Sequence, residues 1–270
     1  MDEQVADLAE TLVAADGVTV LTGAGASAAS GVPTFRGDGG IWGTEFDVEK
    51  FTLERFERDP RGFWEDRLEL HDRLFGDASG PNEAHRALVW LEELGVVDAV
   101  VTQNTDGLHR DAGTQRLVEL HGDASRSVCA ACGESVPTET SLDEVRAGDA
   151  PPSCPEFGCE GHLRPDVVLY GEDLSEAAYG SARRLAWESD VFLVVGSSMT
   201  VEPAASLPVE AAERGELAVF DAAETVNDGL ADYVVRGDAA ETLPALVEAV
   251  QSRMTGMEEA HPTREGRRVR

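Results

Sequence analysis

The sequence predicts an α/β fold built on a parallel β-sheet with helices on both faces. Three observations carry this. Short β-branched runs alternate with helical patterns along the chain. Those runs are apolar at consecutive positions, as strands covered on both sides are. Polar, glycine-rich or amide-rich segments come directly after several of the runs, at the strand ends where ligands bind in such sheets.

Residues 1–16 read as a helix with Val5, Leu8, Leu12 and Val13 on one face, stopped by Gly17. Val18–Leu21 is the first strand, and it runs into Gly23-Ala-Gly25-Ala-Ser27. Residues 45–79 mix charge with aromatic side chains, at helical spacing for Phe56, Phe63, Trp64, Leu68 and Leu70. Pro81-Asn82 opens a helix that Gly95 ends. Val96–Thr102 is a second strand, followed by Gln103-Asn-Thr-Asp106. Val167–Tyr170, Val191–Val195, Leu217–Phe220 and Tyr233–Val235 are the third to sixth strands. A last helix is expected around 242–254, and Gly256–Arg270 reads as a polar, mobile tail.

Of 270 residues, 52 are acidic and 22 basic, a formal charge of −30. The 42% apolar content supports a sizeable core, so wholesale disorder is excluded. A field this negative disfavours broad nucleic-acid binding, which needs a basic footprint. Lys50 is the only lysine. Acids spread along the whole chain fit a hydrated surface in a salty cytoplasm better than a docking patch for a basic partner. No apolar run approaches the ~20 residues of a membrane helix. The acidic start lacks the basic n-region of a secretion signal, so a cytoplasmic location is expected.

Between Val128 and His162 the periodicity fades and all four cysteines occur, as Cys129-x2-Cys132 and Cys154-x4-Cys159 with 21 residues between the pairs. Two short loops of this kind can fold four thiolates into a tetrahedron around zinc. The competing readings are two disulfides or four unrelated thiols, and the expected reducing compartment disfavours the former. Four sulfur ligands leave no open position, so such a metal would be structural.

Gly23-x-Gly25-x-x-Ala28 comes after a strand and is placed to open a helix. Glycines let backbone approach a pyrophosphate, and a helix N-terminus supplies N–H donors. A bare strand-to-helix turn is the alternative. The chain then continues as the proline-bearing Ser30-Gly-Val-Pro-Thr-Phe-Arg36, where an ordinary dehydrogenase would run toward a second strand.

Seven segments occur in order: Gly23–Ser27, Gly31–Arg36, Thr102–Asp106 with Gly107-Leu-His109, Glu119-Leu-His-Gly122, the four cysteines, Leu163–Val168 and Gly196-Ser-Ser198. Together they resemble the sirtuins, the NAD-dependent protein deacylases, over about residues 10–250. The resemblance implies a Rossmann-type parallel sheet covered by helices, with a small domain made of a zinc-binding insert and a helical insert. On that pattern, residues 1–44, 81–125 and 165–254 form the NAD-binding domain, 45–80 the helical insert, 126–164 the zinc insert and 255–270 a flexible tail. NAD and an acyl-lysine peptide would meet in the cleft between the domains.

The same resemblance assigns site roles. His121 takes the place of the general base that helps ribose hydroxyls attack after nicotinamide leaves, and imidazole suits proton transfer near neutral pH. His71, His85, His109 and His162 lack the motif and are given no catalytic role. Asn104 and Asp106 match the residues that position ribose, water and the nicotinamide carboxamide, and Gln103 one near the ribose. Phe35 and Arg36 resemble the loop that covers the nicotinamide and reaches the phosphates. Gly23, Ala24, Gly25, Ser27, Gly196, Ser197 and Ser198 would hold the cofactor's phosphate and ribose oxygens. Asp221 stands where an asparagine often meets the adenosine ribose, and a carboxylate there favours NAD over a 2′-phosphorylated cofactor. Ala26 and Thr105 replace larger aliphatic residues beside the nicotinamide pocket.

The partner implied is an acyl-lysine protein, bound as an added strand near Val167, Val168, Tyr170 and Gly171 and the segment Val201-Glu202-Pro203. Members that remove succinyl or malonyl groups carry a tyrosine and an arginine three residues apart on a helix. Here Arg67 matches the arginine and Trp64 stands in the tyrosine's place, so both could line an acyl pocket, the alternative being Trp64 in the core and Arg67 in a surface ion pair. Simple deacetylation is the safer expectation. Two rival functions remain open at this level: an NAD-dependent mono-ADP-ribosyltransferase and a non-enzymatic NAD-sensing zinc module. The zinc segment has few basic residues and no interleaved aromatics, so no direct nucleic-acid binding is expected of it.

Overall fold

The computed structural model describes residues 3–36 and 40–260. The first helix, α1 (Glu3–Ala14), buries Val5, Leu8, Ala9 and Leu12. It leads to β1 (Val18–Thr22) and a helix over Ala24–Ser30, where the sequence pattern places one, of the 3₁₀ kind. A second 3₁₀ turn (Val48–Phe51) precedes α2 (Leu53–Arg58) and α3 (Pro60–Phe75), the latter capped by Asp59 with Pro60 in its first turn. Next come α4 (Glu83–Glu93), β2 (Ala99–Thr102), α5 (Leu108–Ala112) and β3 (Leu117–Glu119). After them stand β4 (Gly122–Cys129), β5 (Ser135–Pro137), α6 (Thr138–Arg146) and β6 (Leu163–Val167). The chain closes through α7 (Glu176–Glu188), β7 (Val191–Val195), α8 (Ser206–Ala212), β8 (Glu216–Asp221), β9 (Tyr233–Arg236) and α9 (Ala239–Ala260).

Six strands form one parallel sheet in the order β3-β2-β1-β7-β8-β9. Relabelled by first appearance this is the 3-2-1-4-5-6 order of dinucleotide-binding sheets, with the switch point between β1 and β7. Alternate strand residues feed two cores. Val18, Val20, Val100, Leu193 and Phe220 pack with α1, α4 and α9, while Leu21, Val101, Phe192, Val194 and Val219 pack with α7 and α8. A third core joins Phe51, Phe63, Trp64, Leu70 and Leu74 of the helical segment to Cys129, Leu142, Cys154 and Leu163 of the cysteine-bearing segment. That segment carries the antiparallel sheet β5-β4-β6.

Three expectations change. The strand expected at Val167–Tyr170 does not join the parallel sheet. It lies earlier, at Leu163–Val167, on the edge of the small antiparallel sheet, where Pro165 is tolerated because an edge strand need not donate on both sides. Residues 168–170 instead cross toward other segments, Val168 N–H donating to the His121 carbonyl and Tyr170 N–H to that of Phe51. The strand expected from Val96 begins at Ala99, because the Val96 and Val97 N–H groups close the end of α4 on Leu91. The last helix runs to Ala260, into the stretch read as a tail. Met254 packs on the core, and Thr255 Oγ1 donates to the Gln251 carbonyl at 2.9 Å despite the helical Gly256. The rest of that expected tail, from 261 on, lies outside the described residues. Among the described residues, no helix is long and apolar enough to cross a membrane.

Candidate active site and cysteine cluster

A cavity of about 730 Å³ opens at the carboxyl ends of the parallel strands. Each strand end contributes: Ala24, Gly25 and Ala28 after β1, Gln103–Thr105 after β2, His121 after β3, Gly196–Pro203 after β7, Asp221–Glu224 at β8 and Gly237–Ala239 after β9. The opposite wall comes from Phe35, Arg36, Trp42, Phe51, Arg67, Leu70 and Leu74, and from Val167–Glu172.

Close backbone approach shapes the floor. Gly25 N–H donates to the Gly196 carbonyl at 2.8 Å, and a Cβ on Gly25 would fall 2.7 Å from Gly196 Cα. Those glycines therefore bring the β1 and β7 loops into contact under the cavity. Gly23, Ser27 and Asp106 do not line it; they lie behind it. Asn104 lines it with its amide nitrogen turned away, donating to the Gly23 carbonyl and to Ser27 Oγ, both at 3.0 Å. The Gly23 carbonyl can only accept, so the Asn104 NH₂ is fixed there and its Oδ1 stays free among the described residues. Ser27 Oγ in turn donates to Asp106 Oδ2 at 2.7 Å, and Leu108 N–H donates to Asp106 Oδ1. Burial raises the Asp106 pKa against these lowering hydrogen bonds.

His121 is the one histidine among the described residues that lines the cavity. Its Nδ1 lies 2.8 Å from the Gln103 carbonyl oxygen. A carbonyl accepts only, so Nδ1 carries the hydrogen and Nε2 presents a lone pair. Burial lowers the pKa of the ring; the Gln103 hydrogen bond opposes this and the nearby Arg36 charge adds to it. The free-base form therefore prevails at neutral pH. Gln103 Oε1 accepts from Ser197 Oγ at 2.6 Å, tying the β2 and β7 loops together beside it. Arg36 Nη2 reaches the Tyr170 hydroxyl at 3.4 Å, and Phe35 stacks on Trp42 with centroids 5.6 Å apart.

Trp64 and Arg67 part company. Trp64 is fully buried in the third core, its Nε1 donating to the Leu163 carbonyl at 2.9 Å, and does not line the cavity. This corrects its expected place beside the substrate. Arg67 does line the cavity, only 7% exposed and with no acid or hydrogen-bond acceptor paired to it among the described residues. Burial pushes its pKa down to about 10, so it is still cationic at pH 7. Ala26 is also a core residue, whereas Thr105 faces the cavity.

Gly237-Asp238-Ala239 is a part of the wall that sequence reasoning misses. Its signal is a Gly-Asp pair between a strand and a helix, at the same strand-end position that singles out the other loops. Asp238 Oδ1 accepts from Ala240 N–H at 2.8 Å, as a helix-capping aspartate does.

Two buried histidines sit behind Ser27. His85 Nδ1 accepts from Asn82 N–H, which leaves the ring hydrogen on Nε2, 3.4 Å from Ser27 Oγ. His109 Nε2 lies 2.8 Å from Thr22 Oγ1, and the rings meet edge-to-face at 4.7 Å. Burial pushes their pKa values down to about 4 and about 3. Both values lie below those of the unfolded chain, so the stability this gives is present above pH ~6.5 and lost as pH falls toward them. Unfolding free energy is expected to drop by about 4 kcal/mol between pH 7 and pH 5 from this pair. Urea titrations at the two pH values read it, and an unchanged midpoint and slope would contradict neutral burial.

The four cysteine sulfurs lie within 4.8 Å of one another. Cys129 and Cys159 approach to 3.7 Å, and Cys132 and Cys154 to 3.6 Å, too far for S–S bonds. The Ala131 and Gly161 N–H groups donate to Cys129 and Cys159 Sγ, as outer-shell donors to thiolates do. The donor set fits a closed tetrahedral ion.

Known proteins resemble this chain in sequence and fold. The family model described as "Sir2 family" matches residues 23–203. An NAD-dependent protein deacetylase of Haloarcula marismortui is 49% identical over 244 residues, covering 89% of this chain and 92% of that protein. Among solved structures, a Sir2 enzyme superposes with TM-score 0.83 at 38% identity, covering 94% of this chain and all of that one. Sir2Af2 bound to a myristoylated histone peptide matches with TM-score 0.76 at 34% identity, covering 95% and 100%.

Proposed function

This chain belongs to the Sir2 family, and on that premise we propose that it deacylates protein lysines with NAD as co-substrate and His121 as general base. The observation that carries the assignment is the His121 ring itself. Its Nδ1–H is held by the Gln103 carbonyl at 2.8 Å, and its unprotonated Nε2 belongs to a residue of the cavity wall. Bound NAD would supply a ribose carbon that nicotinamide can leave. The protein then has to bind, orient and move one proton.

Gly25, Gly196, Ser197, Ser198 and Arg36 are suited to the phosphates and ribose oxygens, since they bring backbone, hydroxyl and guanidinium donors to one cavity. Asn104 offers only Oδ1, so it acts as an acceptor for a ribose hydroxyl or a water. Gly23, Ser27 and Asp106 serve by holding that amide in place. Asp221 also lines the cavity and would repel a 2′-phosphate. The acyl-lysine peptide would lie as a strand between Val167–Gly171 and Val201–Pro203, both on the cavity wall. The cysteine cluster would hold a structural zinc ion, supporting the wall opposite the strand ends. The acidic composition, with a relative from Haloarcula, favours work in concentrated salt.

A specific observation favours a second substrate class beside acetyl-lysine. Arg67 is a buried cation, unpaired among the described residues, beside the apolar Phe51, Leu70 and Leu74 of the wall. Holding it there without an anion is costly, and an acyl group ending in a carboxylate would supply one. An acyl-lysine peptide panel with NAD in molar KCl tests both levels. Arg67→Met is expected to cut succinyl-lysine turnover at least tenfold more than acetyl-lysine turnover. An equal fall for both removes the carboxylate reading, and no NAD-dependent turnover of any peptide removes the function.

A further inference from the structure

His121 sits in the short link between the two sheets, since β3 ends at Glu119 and β4 begins at Gly122. Three hydrogen bonds zip this link and the start of β4 to the end of β2 and the loop after it. Leu120 N–H donates to the Thr102 carbonyl at 2.9 Å, His121 Nδ1 to that of Gln103, and Ala124 N–H to that of Thr105 at 2.8 Å. Gly122 holds φ +79°, and a Cβ there would lie 2.3 Å from the Asp166 carbonyl oxygen. The link is therefore tightly packed at its centre. Its flanks are another matter: Glu119 belongs to the large sheet and Asp123 to the small one, so motion between the sheets would pass through His121.

One side chain spans both flanks. Arg110, on α5 just after Asp106, donates from Nη1 to Asp123 Oδ2 at 2.7 Å and from Nη2 to Glu119 Oε1. Asp123 is 0% exposed and is satisfied on all sides. Ser125 N–H and Oγ donate to it at 2.9 and 2.8 Å, and Arg126 Nη1 lies 3.5 Å away while pairing mainly with Asp166. Burial alone would raise its pKa, but the Ser125 and Arg110 hydrogen bonds prevail and lower it. A buried carboxylate that the reaction does not use thus spends itself on a guanidinium bridging both sides of the base. A planar fork is suited to this, because its two nitrogens hold two carboxylates at a fixed separation.

We propose that Arg110 is a positioning residue for deacylation: by bridging Glu119 and Asp123, two residues before and two after His121, it fixes the turn that presents the base to the ribose. The proposal rests on His121 being the base. Displacement of a reacting group by about 1 Å can cost on the order of a hundredfold in rate. Arg110→Met is expected to lower kcat about tenfold with the KM for NAD within twofold, because no cavity-lining residue is removed. Arg110→Lys is expected to recover part of that loss, since an ammonium can hold one carboxylate but not bridge two. Glu119→Gln, at a side chain 21% exposed and easily accommodated, is expected to lower kcat about threefold with thermal stability unchanged.

Steady-state kinetics and melting of the four proteins, run beside His121→Ala, decide the matter. Wild-type kcat in both Arg110→Met and Glu119→Gln overturns the proposal. So does a fall in kcat that tracks the fall in melting temperature across the set, which would make Arg110 a fold prop only. If Arg110→Met does not fold, Glu119→Gln and Arg110→Lys carry the test alone. Full activity in His121→Ala would instead overturn the assignment of the base, and is separately visible.

Discussion

Replacing His121 by alanine is expected to lower deacylation by about a thousandfold, the middle of the range for losing a general base. The chain should still fold. Among the described residues the side chain makes one hydrogen bond, from Nδ1 to the Gln103 carbonyl, and losing it costs about 1 kcal/mol. The ring is only partly buried, so no closed core cavity is left behind. NAD binding should survive, because the loops suited to its phosphates lie at Gly25 and Gly196–Ser198, tied to each other by their own backbone hydrogen bond. Single-turnover and steady-state rates at saturating NAD are the check. A loss of less than tenfold would place the proton transfer on another group.

Chelating the zinc proposed for the cysteine cluster, or changing Cys129 and Cys132 together to serine, is expected to unfold the small sheet and abolish turnover. The four sulfurs lie within 4.8 Å of one another and could hold a metal ion, and as thiolates they would repel one another strongly without one. Structural zinc of this type contributes apparent binding free energies of about 10–16 kcal/mol near neutral pH. That exceeds what a three-stranded sheet with strands of three, eight and five residues supplies alone. The damage should reach the cavity wall. Cys129 and Cys154 share a core with Phe51, Phe63 and Trp64, and Trp64 is tied to the Leu163 carbonyl. The large sheet has its own two cores and should persist. Metal content by mass spectrometry, with circular dichroism before and after chelation, checks this. A metal-free protein with native spectrum and activity would contradict it.

The parallel sheet is legible in the sequence because β7 and β8 are buried on both faces, so Val191–Val195 and Leu217–Phe220 read as unbroken apolar runs. Val167–Tyr170 looks much the same in sequence but turns out to be a crossing segment. Which edge a short apolar run joins depends on contacts with Phe51 and His121, far away in the chain. The acyl wall shows the same limit at finer scale. Trp64 and Arg67 share a helix face by spacing, yet three residues still differ by about 60° around the axis, and the border between core and cavity runs between them. Ser27 and Asp106 belong to the right motifs, but the sequence does not tell a wall residue from one standing behind it. The bridge from Arg110 to Glu119 and Asp123 is a tertiary contact that no local pattern announces.

The most direct test weighs the products of wild type and His121→Ala on one acetyl-lysine peptide with NAD. Wild type should yield deacetylated peptide, nicotinamide and O-acetyl-ADP-ribose in equal amounts, and the variant should yield almost none of the deacetylated peptide. ADP-ribose found on the peptide or the protein in place of the acetylated nucleotide, or equal product from both proteins, would contradict NAD-dependent deacylation with His121 as its base.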